Sequence, residues 1–390
     1  MYLLLLFCNR PKAQIFTYIL KQLRFLFNYC EKTINIKTLI VCTAFFCYNF
    51  FMKNLAFKDI LLKNNFFGEI KTGELLAGHS SMHVGGRAEL FLEPFDEKSL
   101  ILALDAAASC GLKYFLAGGG SNVVFPDKGL NLVICTRKLG KDESVQLLEN
   151  DRIVCSAGTG WGSVLNFCKK NNLGGLEAFT ALSGTTGGAV FMNACCFGLA
   201  ASDRLLSVRY FDTQKNKILT YKTEKNDWDY KKSPFQPCKK MQKGGVAGDF
   251  PPLEGEAENA EAVGAGGRLS PSSKKIILSA EFSVTSGFDD ELSLQVKQKR
   301  SELGHFRAPS CGSAFKNDPE RKIVAGKLID ECGFKGFSVG GAQIAPWHAN
   351  FIINPEQKAR SADILELVGI VQEAVLKKQG VFLEPEIIFA

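Results

Sequence analysis

The chain has 390 residues, with 47 Lys and Arg against 40 Asp and Glu, a formal net charge of +7. Hydrophobic residues make up 46% of it, enough for a substantial core, and the length suits about two or three domains. Basic and aromatic residues do not interleave, which argues against a nucleic-acid reader. The 13 cysteines form no CxxC pairs, and the four histidines (His79, His83, His305, His348) are scattered singly. That usage points to reduced thiols in a cytoplasm, away from a disulfide frame and from any metal site.

Residues 1–51 differ from the rest. Apolar bursts (Tyr2 to Phe7, Thr38 to Phe51) alternate with Arg10, Lys12, Lys21 and Arg24. The apolar run Leu39 to Phe51 falls short of the roughly 20 residues of a spanning helix, and no small-residue cleavage site follows a signal-like start. The expectation is an extension upstream of a functional start at Met52, with no stable membrane insertion. A membrane-associated leader is the alternative.

Ala88 to Pro94 alternates as a strand closed by proline. Asp96 caps a helix to about Cys110, with Gly111 as its stop. Lys113 to Leu116 is a short strand that runs into Gly118-Gly119-Gly120-Ser121-Asn122. This loop lacks both the GxGxxG dinucleotide fingerprint and the Gly-Lys-Ser/Thr of a P-loop. A strand from Arg152 to Ser156 reaches Gly158, and Gly162 to Lys170 is helical. A second glycine loop follows, Leu182 to Gly198, with Gly184, Thr185, Thr186, Gly187 and Gly188 at its centre. Glycines at that density let backbone N–H groups approach an anionic, extended ligand such as a dinucleotide pyrophosphate. Alone, the 182–198 loop could equally be a tight turn before a buried element; at 118–122 the polar Ser121 and Asn122 at the turn weaken that reading.

Leu205 to Phe211 and Lys217 to Tyr221 read as a hairpin, and Asp227 to Ser233 closes this half. Residues 236–275 carry Gly, Pro, Ser and an acidic patch with almost no large apolar residues, the composition of a disordered insertion. Beyond it come helices at about 291–303 and 324–332. A strand at 348–354 and a helix capped by Ser361 follow, and the last element read is a strand at 381–383.

Six blocks stand in a fixed order: Val84-Gly85-Gly86, GGGSN at 118–122, GTTGGA at 184–189 with MNA at 192–194, Tyr230 to Ser233, GSAFKN at 312–317, and LEPE at 383–386. In that order they resemble the bacterial UDP-N-acetylenolpyruvoylglucosamine reductases over about 66–389, the insertion excepted. The compact Tyr230 region is like that of the shorter class, which lacks a long tyrosine-bearing loop. The resemblance implies an α+β protein with a vanillyl-alcohol-oxidase-like FAD-binding fold of two subdomains (52–125 and 126–235) and a C-terminal α+β substrate-binding domain (276–390). It implies FAD and NADPH as cofactors and reduction of a nucleotide-sugar enolpyruvyl ether for peptidoglycan synthesis.

By motif position Ser313 is the proton donor, and Lys231 and Glu386 stand near the substrate carboxylate. Gly118, Gly119, Gly120, Ser121, Asn122, Gly158, Gly184, Thr185, Thr186, Gly187 and Gly188 are the cofactor-binding set. Tyr230, Lys316, Asn317 and His348 are the substrate-binding set. Several positions depart from the family pattern. Lys231 stands where an arginine is usual and loses the planar fork that grips a carboxylate, with Lys232 a possible sharer of the role. Ser183 replaces a proline, Cys195 and Cys196 replace two small residues, Phe197 replaces a tyrosine and Asp318 a proline. The rivals are another FAD-linked oxidoreductase, for which no covalent flavin attachment residue stands out, and a catalytically weakened homologue, which Lys231 permits.

Overall fold

The computed structural model describes residues 52–142, 144–237 and 274–390. The expected extension at 1–51 and all but the edges of the expected insertion lie outside the described residues. The edges that are described belong to the fold. Gln236 Nε2 donates to Phe191 O at 2.8 Å, and Lys275 opens a long strand.

Three sheets carry the chain. In the first, Gly68–Leu75 pairs antiparallel with Arg87–Pro94, which runs parallel to Leu130–Cys135, itself parallel to Phe115–Ala117. A parallel pairing needs a crossover, and helix Glu97–Ser109 supplies it. Asp96 Oδ1 accepts the Ser99 N–H at 2.7 Å, Leu100, Ala103, Leu104, Ala106 and Ala107 are buried, and Gly111 at φ +59° turns the chain away.

The second sheet is antiparallel throughout, in the order Lys217–Lys222, Leu205–Asp212, Lys275–Ser283, Arg152–Ser156, Val145–Leu148. Lys275–Ser283 is its central strand. The boundaries expected at 125 and 276 are therefore both displaced: Leu130–Cys135 pairs into the first unit and Lys275–Ser283 into the second. The apolar residues of this last strand, Ile276 to Leu278 with Ala280 and Phe282, read equally well as the start of a new domain; only the pairing assigns them. Helix Trp161–Lys170 packs here, with Trp161 tilted against Phe179 at 4.6 Å and edge-on to Phe282 at 5.7 Å. All three rings are buried, and each such burial is worth roughly 1.5–3 kcal/mol. A helix at 52–63 adds Phe57 and Leu61 to the same core.

The third sheet runs Ser310–Ser313, Phe351–Ile353, Ala342–Ile344, Ser338–Val339, covered by helices Ala325–Glu331 and Ser361–Gln379. Its core also takes in Met82, Val84 and Val124 from the first unit, so the two share apolar contacts.

Three expectations change. Residues 381–383 form no strand; Leu383 O accepts Gln372 Nε2 at 2.8 Å. The strand expected at 348–354 contracts to Phe351–Ile353, since His348 to Asn350 turn. Ser361 is the first helical residue rather than the cap. The carboxylate of Asp127, from the first unit, accepts the Ser361 and Ala362 amides at 2.8 and 3.2 Å and the Ser361 hydroxyl at 2.8 Å. Sequence reading missed this cap because donor and acceptor lie on different units.

Candidate active site

The two glycine loops meet face to face. A Cβ on Gly119 would stand 2.7 Å from Gly184 Cα, one on Gly118 2.9 Å from Thr185 Oγ1, and one on Gly184 2.6 Å from Ser121 Oγ. Side chains there would force the loops apart. The glycines thus serve loop-to-loop contact first. Several amides of the second loop are already committed: Thr186 N donates to Thr159 O at 2.8 Å, Gly187 N to Ala157 O at 2.9 Å, and Gly188 N to Thr185 Oγ1 at 3.4 Å. Thr185 is thereby the cap of helix Thr186–Phe191.

Between the loops and the third sheet lies a cavity of about 450 Å³. Gly118 to Asn122, Gly184, Thr185, Gly187 and Gly188 line it, together with Lys231, Ser313 and Glu386. Segments more than a hundred residues apart in sequence therefore converge on one space. Gly158 and Thr186 do not line it. Thr186 is fully buried and its hydroxyl donates to Thr159 O at 3.0 Å. A Cβ on Gly158 would meet Thr136 O at 2.4 Å and Leu139 O at 2.5 Å. Both hold the loops from behind.

Glu386 is brought in by the end of the chain. Ile388–Phe389 pairs parallel with Val123–Val124, immediately after the first glycine loop. Asn122 Nδ2 donates to Glu386 O at 2.9 Å, and Glu386 N donates to Ala314 O at 2.8 Å. Asn122 thus spends its side-chain amide on placing this segment. Lys231 arrives on a tight turn with φ +56°, and its Nζ stands 2.6 Å from Glu386 Oε1, with side-chain exposures of 14% and 10%. Burial by itself would lower the Lys231 pKa, but the Glu386 carboxylate reverses this and holds it above the ordinary lysine value. Lys232 points elsewhere, pairing with Asp229 at 2.6 Å on the surface, and does not line the cavity.

Ser313 ends strand Ser310–Ser313, directly after Gly312 at φ +76°, paired with Phe351. Tyr230 lies under Lys231, with Nζ 5.8 Å from its ring centroid. Burial first, and the Glu386 charge second, push its phenol pKa up, while the Asn317 amide donates to its oxygen. Tyr230, Lys316, Asn317 and His348 do not line the cavity. Lys316 Nζ pairs with Glu384 at 3.1 Å, and Asn317 Oδ1 accepts the Ala325 N–H at 3.0 Å at the start of a helix. His348 stacks on Phe351 at 4.0 Å and accepts the Asn350 N–H at 3.3 Å, and burial lowers its pKa.

Sequence reading missed Arg300 and His305, which also line the cavity. Arg300 had a legible signal. It sits four residues after Val296 on a helix whose buried positions are those two alone, an arginine where the inward face calls for an apolar residue. Cys195 and Cys196 line the cavity as well, and burial raises the Cys195 pKa.

Two family models match. The C-terminal domain of UDP-N-acetylenolpyruvoylglucosamine reductase matches residues 304–390, and an FAD binding domain matches 88–221. The chain is 38% identical over 318 residues to the UDP-N-acetylenolpyruvoylglucosamine reductase of Treponema denticola, covering 80% of this chain and 90% of that one. The chain belongs to this reductase family. The reductase of the same name from Borreliella burgdorferi is 34% identical over 80% of this chain and 92% of its own. The crystal structure of the reductase from Thermus caldophilus superposes with a TM-score of 0.61 at 26% identity, covering 83% of this chain and 99% of that one. The α+β fold with its FAD-binding unit follows from these matches and from the sheets described above. Among the described residues no helix is long and apolar enough to cross a membrane.

Proposed function

We propose that this chain reduces UDP-N-acetylglucosamine enolpyruvate to UDP-N-acetylmuramate, with FAD as bound cofactor and NADPH as reductant, in the cytoplasmic supply of peptidoglycan precursors. The observation that carries the reading is the buried Lys231–Glu386 pair in the same cavity as Ser313 and two interlocked glycine loops.

The cavity suits FAD. A Cβ on Gly188 would find only Thr185 Oγ1, at 3.5 Å, and one on Gly312 nothing within 4 Å, so glycine leaves the lining bare at both places. Tyr114, Leu116 and Ile277 add apolar wall for a ring system, and Ser121 a polar group beside it. Gly118 to Ser121 and Gly184 to Gly188 would hold the cofactor, with Gly158, Thr186 and Asn122 supporting. Bound FAD supplies hydride transfer from NADPH to the enolpyruvyl double bond.

The chain's own residues do the rest. Hydride addition at C3 pushes negative charge toward the substrate carboxylate. Lys231 faces that charge as a fixed cation in a site of low exposure, where such stabilisation is strongest. Glu386, 2.6 Å from the ammonium, holds Lys231 in place for the arriving carboxylate. Ser313 delivers a proton to C2, feasible for a hydroxyl because the acceptor is a strongly basic carbanion held in place. Tyr230, Asn317, Lys316 and His348 shape the substrate side from one layer further out.

The test is NADPH oxidation by the purified, FAD-loaded chain with UDP-N-acetylglucosamine enolpyruvate, alongside Ser313→Ala. Turnover that collapses in the variant is expected. A yellow protein with no turnover would favour the weakened homologue.

A further inference from the structure

Arg300 is 6% exposed, on a helix otherwise turned largely to solvent. Its Nε donates to Thr180 O at 2.9 Å, and its guanidinium carbon lies 5.3 Å from the centroid of the Phe197 ring. Its Nη2 is buried and meets no hydrogen-bond partner. Among the described residues Arg300 makes no ion pair, although it lines the cavity. A buried guanidinium without a counter-charge is costly, and such a group is normally retained where an anion completes it. Lys231 in the same cavity already has Glu386. His305, next along this wall, is driven down to about 4 by burial and by the Arg300 charge, so it stays neutral at physiological pH.

We propose that Arg300 is an anion anchor whose guanidinium donates to a diphosphate oxygen of a nucleotide bound in the cavity it lines. Thr180, which fixes its Nε, lies just ahead of the Ser183–Gly188 loop. This places the charge at the root of the segment that faces the ligand. Arg is suited to the task, since its planar fork can hold Thr180 O with one N–H and a phosphoryl oxygen with another. The inference rests on the reductase reading, in which FAD and the nucleotide sugar each carry a diphosphate. The chemistry is shared, and the experiment separates the two.

The full chain, R300M and R300K would be titrated with FAD by flavin fluorescence as apoprotein, and with UDP by flavin absorbance after loading. Circular-dichroism melting would check the fold. R300M is expected to weaken one of the two ligands by at least about tenfold, the loss typical of a hydrogen bond to a charged group, with R300K recovering much of it. A loss in the FAD arm assigns the cofactor, and a loss in the UDP arm alone assigns the substrate. If R300M does not fold, R300K and R300Q decide by the same titrations. A folded variant without the arginine that leaves both affinities unchanged overturns the proposal. Wild-type protein that binds neither ligand overturns the reductase reading, and this inference with it.

Discussion

Replacing Glu386 by glutamine isolates the charge of the buried pair. At the observed 2.6 Å, and with an effective dielectric constant of about 20, the two charges attract by about 6 kcal/mol before desolvation is subtracted. What remains on losing one partner is about 3–5 kcal/mol, because the other charge stays buried and unmet. Glu386→Gln keeps an oxygen beside Lys231 and belongs at the lower end, about 3 kcal/mol in urea unfolding. The double variant K231M/E386L removes both charges and should regain most of that stability, since apolar replacement of a buried pair is often neutral. Activity should behave differently. Both the single and the double variant should lose about 10²–10³-fold in the rate at which substrate reoxidises the reduced flavin, the size of a lost charge-stabilising contact. Stability losses in K231M and E386L that simply add in the double variant would show that no pair exists in solution. Full activity in Glu386→Gln would refute its chemical role.

The pair also has a pH signature. The raised Lys231 pKa means its stabilisation is whole below the unfolded value and is lost as pH rises through the folded one, so alkaline melts should show the loss above about pH 10.5 and E386Q should not. His305 has the opposite sign. Its pKa is lowered to about 4, so between that value and about 6.5 the unfolded chain holds the extra proton and stability falls with acidification. The loss is at most about 3 kcal/mol, less for screening of a partly exposed ring, and H305N should flatten the slope in acid urea titrations. Gly119→Ala should cost about 1–3 kcal/mol and abolish FAD binding, because its Cβ meets Gly184 Cα at 2.7 Å; Gly188→Ala should keep its melting temperature yet bind FAD more weakly, both read by flavin fluorescence. Asp127→Ala should lower stability by about 1–2 kcal/mol through the lost cap on helix Ser361–Gln379 while kcat stays near wild type.

Sequence alone determined the local vocabulary. Apolar spacing after Asp96, with Gly111 behind it, specified a helix because cap, periodicity and stop are short-range facts. The ordered blocks likewise marked Ser313, Lys231 and Glu386, since each block is contiguous. What lay beyond reach was anything that depends on which distant segments pair. Lys275–Ser283 reads as a domain opening until its neighbours in the sheet place it at the centre of the second unit. Asn122 reads as a ligand until the chain end docks beside it and takes its amide. Gly119 and Gly184 read as bare backbone for a ligand until each is seen to leave room for the other. Ser361 reads as a cap until Asp127 arrives from another unit. Hydrogen-bonding capacity is a property of the residue, but which partner uses it is set by tertiary packing, and a partner 234 positions away leaves no local trace.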